Sequence, residues 1–157
     1  MTLFESIDEI YATLSKTQRR YIGDVSFCED TYFAKIVIKN KQIPIAVALA
    51  FRLNDGVGIF VIVNKNYQNR GFGKKAIQML IKRIGNIYLR KKLKNTELIY
   101  ASYKNNKNSI KLAKSCGFKL DRITDDIYVL TRPINISTPR QINKLSQRRK
   151  IHARCTG

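Results

Sequence analysis

Several things are scarce in these 157 residues: there is no tryptophan, one histidine, three cysteines and three prolines. The single histidine, His152, stands in the last stretch of the chain, so a Ser-His-Asp relay or a histidine-based metal site has no credible base or ligand. Cys28, Cys116 and Cys155 are scattered, with neither a disulfide framework nor zinc-ligand spacing. Eight glycines and three prolines exclude collagenous or mucin-like chains. Long apolar runs are also missing. The longest, Ile43 to Phe51, is nine residues and contains Pro44, whereas a membrane span needs about 20. The opening MTLFESIDEI has three acids and neither the basic nor the apolar region of an export signal. The expectation is a reduced, cytoplasmic chain with no membrane partner.

Acid is scarce as well. Eleven Asp and Glu face thirty Lys and Arg, a formal charge of +19, and Glu occurs only four times. A field of this sign steers anions and repels cations, which makes free polyamines and other cationic substrates poor candidates. A solvated basic surface without a partner remains the alternative to an anionic one. What the chain does have is apolar material. At 44% hydrophobic, a chain this long buries roughly two-thirds of its unfolded surface and fits one domain.

Phe4, Ile7, Ile10, Tyr11 and Leu14 recur at helical spacing within Leu3 to Ile22. Residues 23–31 are polar and acidic, a loop. Tyr32 to Ile38 and Ile43 to Leu53 read as strands joined by a turn at Asn40-Lys41, and Asn54-Asp55-Gly56 turns into a third strand, Val57 to Val63. From Gly71 the period changes: Phe72, Ala76, Ile77, Leu80, Ile81 and Ile84 share one face of a helix expected to run through Gly85 to about Lys92. Glu97 to Tyr103 is a fourth strand, Asn108 to Ser115 a short helix stopped by Gly117, and Phe118 to Ile123 with Ile127 to Thr131 a last strand pair. From Pro133 to Gly157 there are six basic residues and no acids, the composition of a disordered or partner-ordered tail. The expected domain, residues 1–132, keeps 24 basic against 11 acidic residues, a net +13.

The informative stretch is the strand Val57 to Val63 running into Asn64-Lys-Asn-Tyr-Gln68-Asn69-Arg70-Gly71-Phe72-Gly73-Lys74. Glycines let backbone approach a ligand, and the first N–H groups of the following helix have no internal partners. Such free donors at the positive end of a helix suit phosphate oxygens, and Arg70, Lys74 and Lys75 add charge. A plain strand-to-helix turn explains the glycine pair equally well when it is taken alone. A Rossmann glycine turn follows the first strand instead, and the Gly-Lys-Ser/Thr of a P-loop is missing.

Gln68-Asn69-Arg70-Gly71-Phe72-Gly73 resembles the Gln/Arg-x-x-Gly-x-Gly/Ala signature of the GCN5-related N-acetyltransferases (GNAT). Asn108-Ser-Ile-Lys-Leu-Ala-Lys-Ser-Cys-Gly117-Phe118 is similar to that family's second motif, an Asn opening a short helix that closes in Gly-Phe. The resemblance covers residues 55–130 firmly and 32–53 reasonably. It implies an α/β (α+β) fold with a mixed, mostly antiparallel sheet flanked by helices, and splayed strands that take acetyl-CoA as co-substrate. Backbone groups of Val61, Ile62 and Val63 would pair with the pantetheine arm, and Gln68, Asn69, Arg70, Gly71, Phe72, Gly73 and Lys74 would form the pyrophosphate cradle. Asn108 would bond the pantetheine arm, cap the helix, or do both. A main-chain N–H near Ile62 or Val63 would stabilise the developing oxyanion.

The chain departs from the family where a Tyr often serves as general acid, because Ala113 stands there, and Val57–Val63 lacks the Glu that serves some members as base. Tyr103 and Ser109 are the candidate catalytic residues, with Tyr67 and Cys116 behind them and Asp55 the one nearby acid. Tyr103, at its strand end, faces either the cleft or the core, and Cys116 reads as a small buried hydrophobe. The activity implied is transfer of acetyl to a primary amine on an anionic acceptor, such as an aminoacyl-tRNA, a ribosomal protein or an acidic protein. The alternative is a GNAT scaffold impaired in catalysis that binds nucleic acid through its basic face and tail. Family members often dimerise, and a homodimer stays open.

Overall fold

The computed structural model describes residues 1–22 and 31–134. The loop expected at 23–31 therefore falls almost wholly outside the described residues, as does the tail beyond 134. Two helices come first, α1 (Leu3–Thr13) and α2 (Lys16–Ile22), where one helical segment was expected. The break lies at Leu14, which is extended (φ −78°, ψ 151°). Ser15 and Gln18 then restart the chain by exchanging backbone and side-chain bonds of 3.0 and 3.2 Å, the reciprocal Ser-x-x-Gln cap.

Six strands form one sheet in the order β1-β2-β3-β4-β6-β5: β1 (Tyr32–Asn40), β2 (Ile43–Leu53), β3 (Gly56–Val63), β4 (Glu97–Tyr103), β5 (Lys119–Thr124) and β6 (Ile127–Pro133). All neighbours are antiparallel except β3 and β4. β2 is buried from Pro44 through Phe51, because it lies inside the sheet with helices over both faces. Val47, Leu49 and Phe51 meet Leu3, Ile7, Ile10 and Leu14 of α1 and its C-terminal cap on one side. On the other side Ala46, Ala48 and Ala50 meet Ala76, Ile77, Leu80 and Ile84. These last four belong to α3 (Phe72–Arg90), which runs through Gly85 as expected. The small alanines of β2 let this long helix lie close to the sheet.

The short helix α4 is Lys107–Ser115 and ends at Gly117, whose φ is +86°. Its N-cap is Asn106, not Asn108. Phe118 is buried in the core rather than in the strand that follows it. At the far end β6 extends to Pro133, and Ile134 is buried and donates its N–H to the Thr96 carbonyl. The described fold thus reaches two residues past the boundary drawn at 132. No helix among the described residues is long and apolar enough to cross a membrane.

Candidate active site

β3 and β4 are paired at only two positions, Val57↔Leu98 and Gly58↔Ile99. Beyond them β3 stays on β2, up to Ala46↔Val63, and β4 leaves with β6. The fork sits at Gly58, where a Cβ would lie 2.3 Å from the Phe51 ring. The strands then part around a cleft of about 930 Å³, walled by β3, β4, the start of α3, α4 and α2. From Ile59 to Val63 the edge of β3 that faces β4 has no strand partner among the described residues.

The chain leaving β3 is held firmly. Asn64, buried, donates to the Pro44 carbonyl at 3.3 Å and accepts from the Asn66 N–H at 3.0 Å. Gln68 donates to the Val63 carbonyl at 3.1 Å and accepts from Gln18 of α2 at 2.8 Å. Its side chain therefore fixes the loop to β3 and α2. Asn69 and Gly71 both have positive φ, +59° and +82°. Left-handed residues in such turns converge backbone N–H groups on a concavity that receives anions. The first intrahelical bond of α3 runs from the Lys75 N–H to the Gly71 carbonyl, so the amides of Phe72, Gly73 and Lys74 stand free of the helix ladder. A Cβ at Gly73 would lie 3.1 Å from Leu112 and 3.3 Å from Val63, so glycine there lets α3 and α4 close on the end of β3.

Most of the residues marked in the sequence meet at this cleft. Val61, Ile62, Val63, Gln68, Asn69, Gly71, Phe72, Gly73, Lys74, Asn108 and Ser109 all line it. Arg70 does not: it is exposed, and its guanidinium lies 5.7 Å from the Tyr67 ring centre. Tyr103 is also outside the lining. It is 40% exposed, which overturns the core reading, and its ring packs 5.9 Å from that of Tyr21 on α2. Asp55 points to solvent and pairs with Arg122 at 3.8 Å. Among the described residues no carboxylate lines the cleft.

Three features were missed. Asn106 takes the helix-opening role by accepting the Ser109 N–H at 3.3 Å; Asn108 lies one residue inside α4, exposed. The run Asn105-Asn106-Lys107-Asn108 offers three Asn to one cap, and spacing alone does not choose among them. Lys107 and Lys111 bring two further cations to the wall, and their i, i+4 spacing on a short helix was the available signal. Tyr100 is the third. Its hydroxyl is 2.8 Å from Ser109 Oγ, its ring is 5.7 Å from that of Phe118, and it lines the cleft although only 4% exposed. Burial pushes the phenol up to about 12, against the pull of the Ser109 hydrogen bond, so it holds its proton at any physiological pH. Cys116 is buried and its thiol is raised by burial too, in keeping with the small-hydrophobe reading.

Residues 3–118 match the family model described as the acetyltransferase (GNAT) family. No curated protein matches the chain. Among solved structures, the ribosomal-protein-S18-alanine N-acetyltransferase from Escherichia coli is similar at 16% identity and a TM-score of 0.63, covering 88% of this chain and 94% of that one. The GNAT domain of S. lividans PAT is similar at 14% identity and a TM-score of 0.64, over 85% and 87% of the two chains. The PaiA N-acetyltransferase from Thermoplasma acidophilum, in complex with coenzyme A, matches at 11% identity and a TM-score of 0.52, over 65% and 60%. At these identities the likeness is one of fold.

Proposed function

The chain belongs to the acetyltransferase (GNAT) family, and from that premise we propose that it acetylates a primary amine carried by an anionic macromolecule. Acetyl-CoA-dependent N-acetyl transfer comes with family membership; the acceptor and the residue roles are our reading. The observation that supports it best is the strand fork opening toward the bare start of α3.

The unpaired edge at Val61, Ile62 and Val63 would hold the pantetheine arm as a strand holds its neighbour. Free amides from Asn69 to Lys74 would hold the pyrophosphate, with Lys74 on one wall and Lys107 and Lys111 on the other answering its charge. Asn106 and Asn108 stand at the start of α4, within reach of the same cleft. When bound, acetyl-CoA supplies an acyl carbon activated as a thioester. The Asn64 N–H is taken by the Ile45 carbonyl, so by alternation Ile62 also bonds toward β2 and Val63 faces the fork. The main-chain N–H of Val63 would donate to the acyl oxygen as negative charge develops there. Tyr100, relayed through Ser109, supplies the proton that the departing thiolate needs. Ala113 is wholly buried, so α4 brings no hydroxyl at the family's usual place, and a phenol from β4 takes over the task. Without a carboxylate in the described lining, the cations themselves favour the neutral amine, since like charge nearby lowers an ammonium's pKa. After attack, water takes the one surplus proton from the amine nitrogen and one is returned through Ser109 to Tyr100, so the phenol ends the cycle neutral.

The acceptor class follows from charge. CoA carries about four negative charges, and the domain's surplus far exceeds what they require. Calorimetric titration with acetyl-CoA tests the cofactor site, with Gly71→Glu as the comparison. We expect micromolar binding by the natural chain and none by the variant; equal binding would move the pyrophosphate elsewhere. Transfer to an RNA-linked or acidic-protein amine should weaken steeply with salt, and a salt-flat rate would sink the anionic acceptor. The second reading, a scaffold impaired in catalysis that binds nucleic acid, draws on Ala113 standing where the family often has Tyr. Tight acetyl-CoA binding without turnover on any amine would favour it.

A further inference from the structure

Between residues 56 and 96 there is no Asp or Glu, while ten Lys and Arg occur. Part of this segment shapes a second concavity, of about 640 Å³, that shares no lining residue with the cleft. It lies where the outer side of α3 meets β1. Ile36 contributes apolar floor, and Met79 and Leu89 stand beside it 43% and 38% exposed. Lys82, Arg83 and Arg90 surround them. The residues from α3 recur at 79, 82, 83, 86, 89 and 90, one continuous stripe of a helix. Arg83 is steadied by donating to the Lys35 carbonyl. The ion pairs among the described residues are Met1–Glu5, Arg122–Asp55 and Arg122–Asp121, so none of the three groove cations is neutralised by a carboxylate there.

Charge and composition select the occupant. The chain's own segment 135–157 has six basic residues and no acid, and would be repelled. A second copy brings +19 against +19. Nucleic acid would use the cations but not Met79 and Leu89, and the groove has no exposed aromatic ring on which bases could stack. An acidic amphipathic helix uses both features. Methionine adapts to varied apolar partners, and Met79 and Leu89, ten positions apart, are separated by about 15 Å along α3, or nearly three turns of a docked helix.

We propose that this groove docks an acidic amphipathic helix of a partner protein, its apolar stripe laid over Ile36, Met79 and Leu89 and its carboxylates meeting Lys82, Arg83 and Arg90. The mode is helix-in-groove recognition with electrostatic steering. It goes beyond the transferase reading, because neither the cofactor nor the acceptor amine is required for it.

The test is fluorescence anisotropy with a labelled helical peptide of about 18 residues, Leu at i, i+4, i+7 and i+11 among Glu, beside a scramble of identical composition that lacks the stripe. We expect the natural chain to bind the striped peptide at least about tenfold more tightly than the scramble. Lys82→Glu with Arg90→Glu, and separately Met79→Asp, should each weaken that binding about tenfold or more. Circular dichroism and acetyl-CoA calorimetry should be unchanged in both variants, which separates this site from the cleft. Equal affinity for the two peptides overturns the proposal, since it would report charge alone. Displacement of the striped peptide by a hairpin RNA at lower concentration overturns it in favour of nucleic acid. Self-association in sedimentation that the Lys82→Glu/Arg90→Glu variant loses overturns it in favour of a second copy.

Discussion

Tyr100 and Ser109 come from different elements, β4 and α4, and their hydroxyls meet at 2.8 Å. In sequence they are nine residues apart with nothing to mark them as a pair. Tyr100 sits inside a strand that reads as plain core, ELIYASY, and only the fork between β3 and β4 turns that core position into a cleft wall. Tyr103, the tyrosine that the sequence offers at the strand end facing cleft or core, does neither: it is exposed and its ring goes to Tyr21. Tyr100→Phe should lower kcat about 10- to 100-fold with acetyl-CoA affinity held within about twofold; equal loss of affinity would mean that the hydroxyl merely shapes the cleft. The pH dependence of stability follows from the same burial. The folded-state phenol is raised from 10.0 to about 12, so the neutral form's contribution is complete below pH 10 and lost as pH climbs toward 12. Thermal melts over that window should fall more steeply for the natural chain than for Tyr100→Phe.

At the scale of elements, the period of apolar residues set out most of the fold in advance. β2 and β4 begin and end where alternation and turns placed them, and α3 ran on through Gly85 because Ile84, Ile87 and Tyr88 continue its apolar face. Strands β1 and β6 ran two residues longer than expected, whereas the two helix boundaries that shifted were decided by caps. Ser15-x-x-Gln18 split the first helix, and Asn106 rather than Asn108 opened α4, a local contest between near-identical residues that periodicity does not see. Gly85 gives this paragraph its test. It is mid-helix, without positive φ, and a Cβ there would meet nothing within 4 Å. Gly85→Ala should therefore stabilise the protein by about 0.5–1 kcal/mol, read from denaturant midpoints at unchanged m-value. No gain would show that the helix is already as well formed as packing alone can make it.

Across the described residues, two register pairs are all that join β3 to β4, so backbone pairing across the fork is thin. What else holds the two sides is the core that Leu98, Tyr100 and Leu130 share with α3 and β2. β1, β2 and β3 form one block with α1 and α3; β4, β6 and β5 form the other, whose outer strand β5 is exposed throughout. A ligand laid into the fork, as proposed for acetyl-CoA, would act as a clasp between them. The block β4-β6-β5 should then open on its own in the free protein, exchanging its amide hydrogens ahead of β1–β3, and acetyl-CoA should slow that exchange most in β4 and β6. Uniform protection over all six strands would mean that the halves already unfold as one. If they do not, the cofactor is part of the protein's architecture as well as its chemistry, and cellular acetyl-CoA supply would set how long each copy survives proteolysis.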